Sequence, residues 1–284
     1  MNLSNNARGV MLSTVGVVVL SPDSLLIRLI NIDLWTLMFL RGVFMAISLF
    51  GVNFLLNRSQ PLRQYTHLDR WAWSIILLMT SSSFFFVSSI QTTSVAHTLI
   101  IVGAAPVFAA VLGIMFLKES VTLPTWLTII IVVVGLVFVV YDAEQSSLLG
   151  DFYALIACLL WSGIFVLSRK TRMKDMVSAM SVSGLVMALV TLPMASLHMV
   201  STDQVLLGLL LGLMVGLAFS MITLAPRYIP AAEVAVFMPL EAVFGSLLVW
   251  WFLGEYPGIV SLSAGIVIIV TIMLNSYYQI KYSK

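Results

Sequence analysis

The sequence predicts an all-α membrane protein of ten transmembrane helices, built as two inverted five-helix repeats. Three observations lead there. Of 284 residues, 61% are hydrophobic and only 9% charged, where soluble domains carry about 25% charged residues. The apolar residues fall in continuous runs of the roughly 20 residues that a helix needs to cross a bilayer. Such runs are too long and unbroken for the alternating strands of a closed barrel. Finally, SVAHTLIIVGAAPVFAAVLGIMFLKE at 94–119 is echoed by PAAEVAVFMPLEAVFGSLLVWWFLGE at 230–255. An offset of 136 aligns Val107 with Val243, Phe108 with Phe244, Phe116 with Phe252, Leu117 with Leu253 and Glu119 with Glu255.

Ten spans follow in order, at about 8–29, 34–56, 71–91, 94–117, 123–141, 148–168, 176–197, 204–225, 231–253 and 257–277. The polar start MNLSNNARG flows into the first run without a small-residue cleavage site, so that run is expected to be a retained span and not a signal peptide. Within it, Ser21–Pro22–Asp23 reads as an N-cap followed by a first helical position, so the helix is expected to break and restart there. An exposed half-helix N-terminus attracts anionic groups, although proline kinks without ligands are also common in membranes. In the third span, Thr80–Ser83 and Ser88–Ser89 are expected to bond between helices. The fifth and tenth spans carry no acid, base or histidine and read as peripheral helices, facing lipid or a second copy of the chain. A homodimer is therefore one of the readings. In the eighth span, Gly208, Gly212 and Gly216 form a small-residue stripe suited to close helix packing.

The links are too short for separate soluble domains, which leaves two units: residues 1–143 with spans one to five, and 144–284 with spans six to ten. Placing both termini in the cytoplasm puts Arg8, Arg58, Arg63, Arg70, Lys118, Arg169, Lys170, Arg172, Lys174, Arg227, Lys281 and Lys284 on that side. These are twelve of the fourteen basic residues, the asymmetry that the positive-inside rule demands. The opposite links hold Asp33, Asp142, Glu144, Asp203 and Glu255 and no base. Because five is odd, the second unit enters the membrane upside down. VVLSPDSLLIR at 18–28 then matches LLWSGIFVLSR at 159–169, sharing Ser21 with Ser162 and Arg28 with Arg169. Inverted repeats commonly build secondary transporters, with the binding site near the midplane.

Ionisable groups inside a bilayer are costly and normally face the bundle interior. Arg41 lies eight residues inside Asp33, and Glu241 eight residues inside Glu233, each about 12 Å along its helix from opposite faces. The two are expected to face one interior, paired directly or through a substrate; a purely structural pair between the halves is the alternative. His97 aligns with Glu233 under the same offset, so the pair would stand at opposite mouths as gates or proton carriers, or simply as interfacial residues. Asp23, five residues before Arg28, is a further gate candidate or that arginine's local partner. Trp161, Phe84, Phe219 and Pro239 are candidates for the cavity wall. Trp35, Trp71, Trp73, Trp126, Trp250 and Trp251 fall at span ends as interface anchors.

The second-span LRGVF around Arg41, APVFAAVLGIMFLKE ending at Glu119, LLWSGIFVLSRK, and YIPAAEVAVFMPLEAVFGSLLVWWFLGE together resemble the drug/metabolite transporter superfamily, in particular EamA-type proteins. The resemblance covers almost the whole chain. It implies a ten-helix inner-membrane carrier with spans one to four and six to nine around a central cavity, exporting amino acids or other small metabolites. The chain departs from the family pattern at Glu241–Ala242, where Glu–Pro is usual and where Pro239 stands three residues earlier. It departs again at Ser183, the counterpart of Arg41.

The expected function is a secondary carrier of small polar, carboxylate-bearing solutes working by alternating access, with a passive channel or an intramembrane enzyme as alternatives. No GxxxxGK[ST] stretch is present, so a gradient or exchange would drive it. Neither GxSxG nor HExxH occurs, His67, His97 and His198 are scattered, and Cys158 is the only cysteine. Catalysis, a metal site and a cofactor are therefore not expected. The expected partners are a small solute and the lipid bilayer, with no nucleic acid.

Overall fold

The computed structural model describes residues 4–56, 65, 68–142, 147–171, 176–254 and 258–282. Expectations resting on Arg58, Arg63, His67, Glu144, Arg172, Lys174, Glu255 and Lys284 lie outside them. The described residues form helices α1 (Asn5–Leu20), α2 (Asp23–Ile30), α3 (Leu34–Leu56), α4 (Arg70–Thr92), α5 (Val95–Gly103), α6 (Ala105–Leu117), α7 (Leu123–Asp142), α8 (Leu148–Lys170), α9 (Val177–Thr191), α10 (Thr202–Leu224), α11 (Ala231–Ala235), α12 (Pro239–Leu253) and α13 (Gly258–Tyr282). No strand occurs among them. Among the described residues, nine helical units are long and apolar enough to cross a membrane, with α1–α2, α5–α6 and α11–α12 each counting as one. The apolar part of α7, Leu123–Val137, is shorter. The protein is an all-helical, multi-pass membrane protein.

Three spans are interrupted, each at a proline. Pro22 precedes α2, Pro106 stands in the first turn of α6, and Pro239 is the first residue of α12. Proline has no N–H for the preceding turn, and its ring crowds the carbonyl four residues back. Where the chain is broken, neighbouring groups take over the hydrogen bonding that lipid cannot supply. Before Pro239, the amides of Phe237 and Met238 bond three residues back, to Val234 and Ala235, and tighten the turn. Ser21 Oγ returns to the Val17 carbonyl at 2.9 Å. Helix ends obey local chemistry as well. Asp69 caps α4 through the Ala72 amide, and Ser201 with Gln204 forms a reciprocal capping box on α10. Gly254, at φ 73°, ends α12 in the left-handed conformation.

Packing follows small residues. α3 runs between α9 and α10, α4 between α8 and α9, α1 along α10, and α7 along α13. The glycine stripe of α10 faces α3: a Cβ on Gly212 would come within 2.3 Å of Phe44 Cβ and 2.7 Å of the Met45 amide. Gly42 and Gly184 bring α3 and α9 equally close, since a Cβ on Gly42 would lie 2.7 Å from the Gly184 carbonyl. The expected interhelical polar bonds form in part. Thr80 reaches the Ser183 carbonyl at 3.2 Å and Ser89 meets Thr98 at 2.7 Å, whereas Ser82 bonds back within its own helix. Asn6 Nδ2 donates to the Gln279 carbonyl at 3.3 Å, which puts the start of α1 and the end of α13 at one end of the bundle, here the terminal end.

Gly212→Ala is expected to cost about 1–3 kcal/mol through overpacking against α3, read as a lowered unfolding temperature of detergent-purified protein. Gly51→Ala, whose Cβ meets nothing within 4 Å, serves as the neutral control.

Candidate functional site

The break in the first span decides where its acid goes. Asp23, in the first turn of α2, is 2% exposed and turns inward. It meets the guanidinium of Arg41, which reaches in from the middle of α3 and is fully buried. The pair is bidentate: Nη1 to Oδ1, and Nη2 to Oδ2 at 2.8 Å. Two parallel charge-assisted bonds fix both groups in position. The arginine keeps one donor in reserve, because Nε has no partner.

Glu241 lies in the first turn of α12, 1% exposed, and neither of its carboxylate oxygens has a hydrogen-bond partner. One turn further on, Gly245 lets α12 press against the α1–α2 break. A Cβ there would lie 3.2 Å from Ser24 Oγ and 3.3 Å from the Ser21 carbonyl. Glu241 shares that face and lies within electrostatic range of both Asp23 and Arg41. Ser24 Oγ is also buried without a partner. The interior thus holds one cation and two acids, with one acid satisfied and the other not. The expected direct pairing of Arg41 with Glu241 is not formed, because Asp23 takes both outer nitrogens. Nor do Asp23 and Arg28 compensate each other. Arg28 Nη2 donates to the Thr93 carbonyl at 2.9 Å, and five residues on a helix separate two side chains by about 140°. That angle was readable in the sequence and is the signal that could have directed Asp23 elsewhere.

The other predicted residues occupy five separate places. Trp161 is packed between Phe86 and Phe219, with ring centroids 5.0 and 5.9 Å away, and its Nε1 has no partner. Phe84 instead lines, with Trp35 and Thr80, a cavity of about 290 Å³ between α3, α4 and α9. Pro239 is fully enclosed at the α11–α12 break. At the far end from the termini, His97 Nδ1 faces Asp151 at 3.5 Å, and Thr93 Oγ1 donates to the same carboxylate at 3.2 Å. At the terminal end, Arg169 binds Glu119 at 2.6 Å and the Pro226 carbonyl at 2.9 Å. Glu233 stands beside that pair and lines, with Glu119 and Ser120, a void of about 10 Å³. Asp151 and Glu119 as partners of His97 and Arg169 were not foreseen, since nothing in the linear spacing joins them.

The two larger cavities are apolar and peripheral. One of about 310 Å³ lies between α5, α7, α12 and α13, and one of about 450 Å³ between α7 and α13. None of the four cavities is lined by Arg41, Glu241, Trp161, Phe219 or Pro239. No cluster of three or more metal-ligating side chains occurs among the described residues.

The bundle encloses charged side chains in its interior and holds polar contacts at both ends, an arrangement that suits a membrane transporter. The model of the EamA-like transporter family matches residues 7–141 and 148–277, and the chain belongs to that family. It is 24% identical, over 86% of its length and 83% of the relative's, to a protein of Rickettsia conorii named S-adenosylmethionine uptake transporter. A Rickettsia prowazekii protein of the same name is 22% identical over the same shares. An uncharacterized transporter of Methanothermobacter thermautotrophicus is 26% identical over 70% of this chain and 64% of that one. Among solved structures, a protein 15% identical in sequence has the same fold, with a TM-score of 0.79 over 94% of this chain and 98% of the other.

Removing a buried arginine strands the acids around it, which typically costs 3–5 kcal/mol. Arg41→Met is expected to destabilise the protein by about that amount, and Arg41→Met with Asp23→Asn to recover most of the loss. Thermal unfolding of the two variants in detergent checks this.

Proposed function

We propose that the protein is a secondary carrier for small amino-acid-like solutes, moving them by alternating access across the cytoplasmic membrane of the cell. The observation that carries this reading is the Asp23–Arg41 pair enclosed in the interior. A zwitterionic solute can open such a pair and replace it charge for charge, its carboxylate on Arg41 and its ammonium on Asp23. Desolvating the solute is then offset by groups already desolvated in the resting protein. S-adenosylmethionine, named for the Rickettsia relatives, carries an amino-acid end of this kind. Trp161, Phe86 and Phe219 would form the apolar wall.

The inverted repeat of residues 1–143 and 144–284 is part of the proposal and is supported by the packing. Several helix pairs have a counterpart when the halves are exchanged: α1–α10 with α8–α4, α3–α10 with α9–α4, and α6–α8 with α12–α1. Arg28 and Arg169, aligned in the repeat, each reach a carbonyl just ahead of the fourth span of their own half. The polar contacts at the two ends, His97 with Asp151 and Arg169 with Glu119 beside Glu233, are then the two gates. The clustering of bases supports both termini in the cytoplasm. The exposed apolar faces of α7 and α13 suit lipid or a second copy of the chain. The family resemblance implies export and the Rickettsia names imply uptake; alternating access is reversible, and gradients set the sign of net flux.

In proteoliposomes, labelled S-adenosylmethionine and a panel of amino acids are expected to include at least one solute that shows saturable counterflow. Arg41→Met is expected to lower that flux at least tenfold. Conductance in planar bilayers without counterflow would instead favour a channel, and no flux of any panel member would overturn the proposed substrate class.

A further inference from the structure

Glu241 and Arg41 pose a problem that the Asp23–Arg41 pair alone does not solve. An ionised carboxylate removed from water and given no donor is among the costliest arrangements in a protein, and more so in a bilayer. Glu241 has both oxygens unpartnered and is 1% exposed. Something positive has to accompany it. Arg41 is the cation whose charge acts on Glu241, and it is held by Asp23. The other helices packed against α12 bring no substitute: α2 carries Arg28, which is turned to Thr93, α5 carries His97, which faces Asp151, and Arg8 and Lys281 stand at the terminal ends of α1 and α13. The four cavities described above do not reach Glu241. The one ligand that needs no space is a proton.

We propose that Glu241 is the site of a coupling proton, and that Arg41 responds to its loss by exchanging Asp23 for Glu241. With Glu241 neutral, Arg41 binds Asp23, the arrangement described above. When the proton leaves for water on one side of the membrane, Glu241 gains a full negative charge within electrostatic range of a guanidinium whose Nε is still unused. Arg41 then turns to Glu241 and releases Asp23, and with it the α1–α2 break against which α12 is pressed at Gly245. Return of a proton from the other side reverses the exchange. Because α2 and α12 belong to different halves, the exchange transmits one proton's arrival to the contact between them. The terminal end repeats the composition: Arg169 is bound to Glu119, with Glu233 beside them. Glu233 lies eight residues before Glu241, about 12 Å along the span, and lines the void at that end. It is the relay toward the terminal side.

The inference adds the coupling ion to the proposed carrier and rests on that reading for its role in transport, but its chemistry can be tested without any solute. Infrared difference spectra of the protein in liposomes, stepped from neutral to alkaline pH, are expected to contain the C=O band of a protonated buried carboxyl. Glu241→Gln removes that band and Glu233→Gln leaves it. Asp23→Asn also removes it, because Arg41 is then free to pair with Glu241 and hold it ionised. Absence of the band in the wild type, its persistence in Glu241→Gln, or its persistence in Asp23→Asn overturns the proposal. A second arm uses a pH gradient to drive accumulation of labelled S-adenosylmethionine. Glu241→Gln is expected to keep counterflow within about twofold and to lose all pH-driven accumulation; accumulation that survives overturns the coupling role. A band that behaves as expected with no flux of this probe retains the proton site and discards the substrate.

Discussion

One cation for two acids is the constraint on which the interior depends. Inside a bilayer, a charge that is not matched within the protein has no solvent to fall back on. Arg41 comes from the middle of α3, the helix that packs closely against both α9 and α10. The acids come from α2 and α12, one in each half of the chain. Both acids follow a proline break, which places them in the first turn of a restarted helix, where the helix dipole favours negative charge. The breaks therefore serve two purposes: they interrupt the helix, and they hold the acids at depth.

Around this centre the helices are brought together by absence of side chains rather than by apolar attraction, since lipid is as apolar as leucine. Gly212 and Gly216 on α10, with Gly42 on α3 and Gly184 on α9, let backbones approach to contact. That architecture suits a bundle in which whole helices move as units, because a close-packed glycine seam holds two helices together and leaves the remaining contacts to change. The polar groups at the two ends differ in kind. A histidine–carboxylate contact stands at one end and an arginine–carboxylate contact at the other.

Much of the fold was legible in the residues. Apolar runs marked the spans, Pro22 marked one of the three breaks, and the glycine stripe of the eighth span marked a close interface. Among the candidate residues, the sequence identified Arg41 and Glu241 as interior charges and offered Asp23 as a gate or as the partner of Arg28, whereas the structure pairs Asp23 with Arg41. Trp161 and Phe219, expected at a cavity wall, are buried against each other with ring centroids 5.9 Å apart. Phe84, grouped with them, lines a different cavity.

The difference is between local and relative position. Hydropathy, proline, glycine and capping residues act over one or two turns, so the sequence by itself determined where helices begin, break and end, and that charges lie within them. Which acid Arg41 holds depends on how far α2 is displaced by its break and how closely α12 approaches at Gly245. Asp23 and Glu241 are chemically alike, so no property of either residue could decide between them. Only the packing of three helices from two halves of the chain did.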